Sequence, residues 1–175
     1  MKNIVATLTL FFATALSAQV AIGKTSISSP AVSLEFYDNA DNTRGIILPW
    51  VTSTAAVTGV VNGTLVYNTT DKKVYVKYAS GWKDLSIDIT GAVDTSLQNA
   101  LSDKPTAKVM IGGDPTTDTT PGILVLADTN KAMVLPKVAS PHLNIVNPSA
   151  GMMVYDTVKN QLAVFNGKVW SFWKP

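Results

Sequence analysis

Apolar and polar residues alternate with period two over several short stretches, which is the signature of half-buried strands. In Thr64 to Asn68 and again in Val74 to Tyr78, valine, leucine and tyrosine alternate around a Thr-Thr-Asp-Lys turn, predicting a β-hairpin. The pattern returns in Met152 to Tyr155, a turn near Val158 to Asn160, and Gln161 to Phe165. Asn166-Gly167, a strong short turn signal, then sends the chain into Val169 to Trp173. Ser80-Gly81 holds the same place in the first hairpin. Leu34 to Tyr37 and Ile123 to Ala127 read as further short strands, each followed by an Asp/Asn-rich turn. Leu48-Pro49 and Leu135-Pro136 end a strand or hold it at a sheet edge, since proline cannot donate to a ladder.

These elements form two copies of one unit. GTLVYNTTDKKVYV from Gly63, closing with Trp82, matches GMMVYDTVKNQLAV from Gly151, closing with Trp170, and Gly, Tyr and Trp all recur at an offset of 88 residues. Upstream, IILPWV (Ile46 to Val51) matches MVLPKV (Met133 to Val138) at an offset of 87. VAIG (Val20 to Gly23) matches VMIG (Val109 to Gly112), and SSPAVSLEF from Ser28 matches TTPGILVLA from Thr119. The expected class is mainly β: two tandem hairpin-rich modules, residues 19–86 and 108–175, joined by a linker over 87–107. Modules of roughly 65 residues are marginal alone and gain from a partner. In the linker, Val93, Leu97, Ala100 and Leu101 fall at helical spacing before Asp103-Lys104-Pro105, predicting one short helix. Such a helix is stable only if its apolar stripe packs on something.

Residues 1–18 read as a signal peptide. Lys2 provides the positive start, Ile4 to Leu16 an apolar run short for a bilayer span, and Leu16-Ser17-Ala18 a small-x-small cleavage pattern that would leave Gln19 first. No second long apolar run follows, so no transmembrane anchor is expected in the mature chain. With no cysteine there is neither a disulfide framework nor a lipid-modified cysteine anchor. The expected location is extracellular or on the outer surface of a Gram-negative bacterium, with the periplasm as an alternative.

The charge balance excludes an obvious nucleic-acid partner. The chain has 14 Lys+Arg against 12 Asp+Glu, so loss of Lys2 leaves +1, and Arg44 is the single arginine. No patch offers the forked contacts that arginine makes to phosphates and bases. The charged fraction of 15% lies below the usual ~25%, as in β-rich surface proteins.

The sequence offers little catalytic chemistry. His142 is the single histidine, so zinc sites and nucleophile-base pairs cannot be assembled from one subunit. Glu35 is the single glutamate, and Asp38, Asp41, Asp71, Asp114 and Asp128 lie in turn contexts where aspartate bonds its own backbone. YDNADN (Tyr37 to Asn42) lacks the central glycine and closing glutamate of a calcium loop, and Gly112-Gly113-Asp114-Pro115 lacks the lysine of a phosphate loop. No catalytic residue, cofactor or metal site is expected, and the chain is not expected to be an enzyme. Asp118-Thr119-Thr120 and Asp156-Thr157-Val158 have the form of Asp-Thr-x acceptors for bacterial O-glycosylation. The candidate contact residues are aromatic: Trp50, Trp82, Trp170, Trp173, Tyr67 and Tyr155. They would serve as hairpin-core or subunit anchors, since one aromatic buries ~150–250 Å², or as platforms for a sugar ring.

The strings QVAIG, LEF, TRGIILPWV and GTLVYNTTDKKVYV, and in the second copy VMIGG, NKAMVLPKV, NPSAGMMVYDT (Asn147 to Thr157) and FNGKVW, carry a resemblance. Together they resemble a repeat module of secreted bacterial cell-surface proteins and phage tail-fibre-like chains, over nearly all of the chain outside Ser86 to Ala107. Trp50 and Lys137 stand where that module carries arginine after Leu-Pro. The resemblance implies fibre assembly or surface attachment. The sequence reading is thus an exported, non-enzymatic structural or adhesive surface protein, homo-oligomeric with a trimer favoured, with a glycan or cell-envelope component as possible partner. The alternative is a carbohydrate-binding module that uses exposed tryptophans.

Overall fold

The computed structural model describes residues 19–102, 104 and 106–174. The signal peptide expected over 1–18 lies outside the described residues, as do Asp103, Pro105 and Pro175. The fold is mainly β, with 14 short strands among the described residues.

The first copy contains β1 (Val20–Ile22), β2 (Val32–Phe36), β3 (Ile46–Ile47), β4 (Trp50–Val51), β5 (Leu65–Asn68), β6 (Lys73–Tyr78) and β7 (Gly81–Asp84). The second contains β8 (Val109–Ile111), β9 (Leu124–Leu126), β10 (Ala132–Val134), β11 (Lys137–Val138), β12 (Met152–Asp156), β13 (Gln161–Phe165) and β14 (Trp170–Trp173). The expected hairpins form where the alternation places them. β5, β6 and β7 run as an antiparallel meander, as do β12, β13 and β14. Their tight turns rest on residues in the left-handed region, Lys72 at φ 61° and Asn160 at φ 53°.

The repeat in the sequence is also a repeat in register. Leu65 pairs with Val76 as Met153 pairs with Val164, and Lys77 pairs with Trp82 as Phe165 pairs with Trp170. Parallel pairs, which local alternation does not signal, repeat as well. β1 lies beside β2 with Val20 opposite Leu34, and β8 beside β9 with Val109 opposite Leu124. β4 lies beside β5 with Trp50 opposite Tyr67, and β11 beside β12 with Lys137 opposite Tyr155.

The two copies interlock. β3 of the first copy adds antiparallel to β12 of the second, and β10 of the second adds parallel to β2 of the first. Each Leu-Pro step is the corner between two such attachments. After Leu48-Pro49 the chain leaves β12 and enters β4 beside β5, and the Pro49 carbonyl accepts the Tyr67 N–H at 2.8 Å. Pro136 does the same for Tyr155 at 2.9 Å. One core cluster accordingly mixes Leu48, Tyr67, Val74 and Leu85 with Ala150, Met153 and Val164 from the other copy. A second cluster, Val138, Ile145, Met152, Val154, Ala163 and Phe165, belongs to the second copy alone.

The linker departs from expectation. Residues 96–100 are turn rather than regular helix, with a single wider closure from the Asn99 N–H to the Thr95 carbonyl at 2.9 Å. Only Val93 of the predicted stripe packs on the core, while Leu97 and Leu101 are 80% and 74% exposed. Without burial of its stripe a two-turn helix has no net driving force. Among the described residues the one short α-helix, α1 (Pro141–Asn144), lies instead in the second copy and carries His142.

Candidate functional site

The six aromatic residues singled out by the sequence are half-buried or buried, and three of them tie one copy to the other. Trp50, in β4, donates its indole N–H to the Ala150 carbonyl at 3.0 Å and tilts against Tyr67 with ring centroids 6.1 Å apart. Tyr67, in β5, is fully buried, and its hydroxyl donates to the Asn166 carbonyl at 2.8 Å. Trp173, at the end of β14, donates to the Leu85 carbonyl at 2.6 Å while the Lys83 ammonium sits 5.6 Å above its ring. Each bond crosses from one copy to the other. The tryptophan N–H and tyrosine O–H satisfy carbonyls at a seam that neither sheet ladder reaches, and this is why apolar residues alone would close it less well.

Among the described residues the remaining three make no side-chain hydrogen bond to the other copy. Trp170 packs against Phe165 with centroids 5.2 Å apart, over the second cluster. Trp82 is half-buried opposite Lys77, and Tyr155, the counterpart of Tyr67, is half-buried between Lys137 and Leu162. The repeat therefore places equivalent aromatics in unequal environments. Burial, with Asp71 adding to it, pushes the Tyr67 hydroxyl up to about 12.

Asn166 organises the seam, and local pattern marked it only as a turn. Its buried side chain accepts the N–H groups of Lys168 and Val169 at 2.9 and 2.8 Å and donates to Asp88 at 3.1 Å. Its carbonyl takes both the Tyr67 hydroxyl and, at 3.2 Å, the Ala92 N–H. The linker thus crosses directly over the β13–β14 turn. A Cβ on Gly91 would lie 2.7 Å from the Asn166 carbonyl oxygen, and one on Gly167, at φ +95°, would run into the Ala92 carbonyl. Asn-Gly is needed here for a crossing as well as for a turn.

Two buried carboxylates are structural. Burial pushes the Glu35 carboxyl up, but the Lys24 ammonium at 2.8 Å and the Ser28 N–H at 2.7 Å outweigh it and hold the group below the ordinary range. Asp156 is buried too, and the N–H groups of Val158, Ser140 and Lys159 outweigh that burial, lowering its pKa. Asp114 and Asp118 bond backbone N–H groups two residues ahead. Asp71 instead accepts the Tyr75 hydroxyl at 2.6 Å, and Asp38 pairs with Lys24 and Lys137. Among the described residues no group of His, Asp and Glu is placed to hold a metal ion. His142 lies edge-on to Phe172 with centroids 5.7 Å apart.

An open cleft of about 460 Å³ lies at the seam, bounded by Trp50, Val93, Asp94, Pro148, Ser149 and Gly167. Among the described residues no helix is long and apolar enough to cross a membrane.

No curated protein and no solved structure matches the chain significantly. Residues 113–174, which hold β9 to β14 and half of the aromatic seam, match the family model of a phage tail like trimerisation region. The chain is similar over this stretch to a tail-fibre-like, oligomer-forming module.

Proposed function

We propose that this chain is a non-enzymatic, exported structural or adhesive surface protein that assembles as a homotrimer, in the manner of a fibre segment. The observation that carries the reading is the match of residues 113–174 to a trimerisation region. The fold supports it. Among the described residues fourteen short strands in four separate sheets leave many edges, and closed symmetric assembly covers edges that one chain cannot. Export rests on the N-terminal charged-apolar-small pattern, and a mature product beginning at Gln19 would be recognised by its intact mass. The deciding measurement is light scattering of Gln19 to Pro175 after gel filtration at two concentrations. A concentration-independent trimer supports the assignment, and a stable monomer refutes it.

The seam cleft gives one observation in favour of a carbohydrate-binding role. It is open, and Trp50 contributes one wall. Glycan binding lost in Trp50→Ala with the fold retained would establish that reading. The Trp50 N–H is already held by Ala150, so an indole face rather than a hydrogen bond would have to do the recognition.

A further inference from the structure

Every strand pairing within one copy has its counterpart in the other, but the two pairings that join the copies occur once each. β3 joins β12 with Ile47 opposite Met152 and Ile46 opposite Met153. At offsets of 87 and 88 residues, the counterpart would join β10 to β5 with Val134 opposite Thr64 and Met133 opposite Leu65. Among the described residues that pairing is not made. β4 covers only the Tyr67–Asn68 half of β5, and β10 is the last strand of its sheet.

The backbone directions agree with a missing partner. The Tyr67 N–H points to the β4 side, onto the Pro49 carbonyl, so the Leu65 N–H and C=O, two residues earlier, point out of the same edge. On β10, the Ala132 N–H bonds the Ala31 carbonyl on the β2 side, which turns Met133 and Leu135 to the opposite edge. Their counterparts Ile46 and Leu48 are the residues that face β12, with the Leu48 N–H on the Gly151 carbonyl at 3.1 Å. An unpaired donor and acceptor row on β5 therefore has a matching row on β10.

The side chains agree as well. A Cβ on Gly45 would lie 2.7 Å from Met152 Cγ and 2.6 Å from Val154 Cγ1, so β3 approaches β12 closely enough to need glycine. At the position equivalent to Gly45 the second copy carries Ala132, and at the position equivalent to Met152 the first copy carries the shorter Thr64. Thr64 thus relieves the contact that Met152 makes in the β3–β12 pair, while Val66 keeps the place of Val154.

We infer that a second copy of this chain lays its β10 antiparallel on the open half of β5, with Thr64 opposite the partner copy's β10 at the Val134 position. This rests on the homo-oligomer proposed above and names the strands that make it. The contact is heterologous, each copy offering β10 to one neighbour and β5 to the other; such a contact closes a ring when its rotation closes, and the trimerisation-region match sets the ring at three copies. The same rule leaves β9 open. Leu124, opposite Val109, is 48% exposed, whereas Leu34, in the same register position opposite Val20 and covered by β10, is 1% exposed.

The test is site-specific crosslinking in a chain that has no cysteine of its own. Thr64 and Val134 correspond to a non-hydrogen-bonded pair, whose Cα atoms lie ~4.5 Å apart, inside the range of about 4.4–6.8 Å that a disulfide spans. Thr64→Cys and Val134→Cys chains, co-expressed and oxidised, are expected to give a two-chain band on a non-reducing gel that neither single variant gives alone. The double variant is expected to give a covalent trimer. As a second probe, Leu65→Pro deletes the outward N–H without touching the β5–β6 ladder; it should keep the β-rich circular dichroism of the parent and lose the trimer. A trimer by light scattering with no interchain crosslink, with a crosslink inside one chain, or with Leu65→Pro still trimeric would overturn this strand exchange and leave the homotrimer standing. A monomeric parent chain would overturn both.

Discussion

Replacing Tyr67 by phenylalanine separates the two copies of the repeat energetically. The hydroxyl donates to the Asn166 carbonyl at 2.8 Å in a fully buried site, but that carbonyl keeps the Ala92 N–H at 3.2 Å. The acceptor is therefore not orphaned. The expected cost is about 1 kcal/mol, the net value of one hydrogen bond, rather than the larger penalty of a stranded polar group. In a chain of this size that lowers Tm by about 2–4 °C. Tyr155→Phe, at the equivalent position, removes a hydroxyl with no hydrogen-bond partner among the described residues and should change stability by less than about 0.5 kcal/mol. Equilibrium urea unfolding at one fixed protein concentration, followed by tryptophan fluorescence, measures both, since association shifts apparent stability. Equal midpoints for the two variants, or Tyr67→Phe indistinguishable from the parent, would refute the claim that this hydroxyl clasps the copies. The sign at alkaline pH gives a second check. Tyr67 titrates near 12 in the fold against about 10 when unfolded. Its contribution is complete below about pH 10 and is lost as pH rises toward 12. The burial of Tyr75 beside Asp71 acts in the same direction. The alkaline loss should be shallower in Tyr67→Phe.

Further outcomes follow from the seam and the buried carboxylates. Gly45→Ala forces a methyl against Val154, Met152 and the Met153 carbonyl, and should destabilise by about 1–3 kcal/mol, read as a lower urea midpoint with β3 amides exchanging faster. Gly167→Ala places a methyl on the Ala92 carbonyl at a positive φ; the expected result is loss of protection of the linker amides around Ala92 in hydrogen exchange, ahead of global unfolding. Glu35 and Asp156 both have lowered pKa values in the fold. Their contribution is present above the unfolded carboxylate range of about 4 and is lost as pH falls through the folded values. Asp156→Asn should therefore flatten the acid limb of stability against pH, and an unchanged limb would remove Asp156 from the account.

The hairpins, their turns and the duplication are legible in local pattern, because each depends on neighbours close along the chain. Alternating side chains fix which face of β5, β6, β12 and β13 is buried, and Lys72 and Asn160 close the turns between them. Local pattern also marked the six aromatics, although not their partners. Long-range packing sets the rest. The parallel pairings β1 with β2 and β4 with β5 join strands separated by long irregular connections, and the β3–β12 exchange joins residues about a hundred positions apart. No local period reports such contacts. For the same reason Asn166 looked like a turn residue until Tyr67, Asp88 and Ala92 converged on it, and the linker stripe looked helical until burial was found for Val93 alone. Tyr67 and Tyr155 carry the same letter at the same place in a repeat, yet one is a buried clasp and the other a half-buried strand residue. Their difference lies in what packs above them, and that is set by the interlocking of the copies.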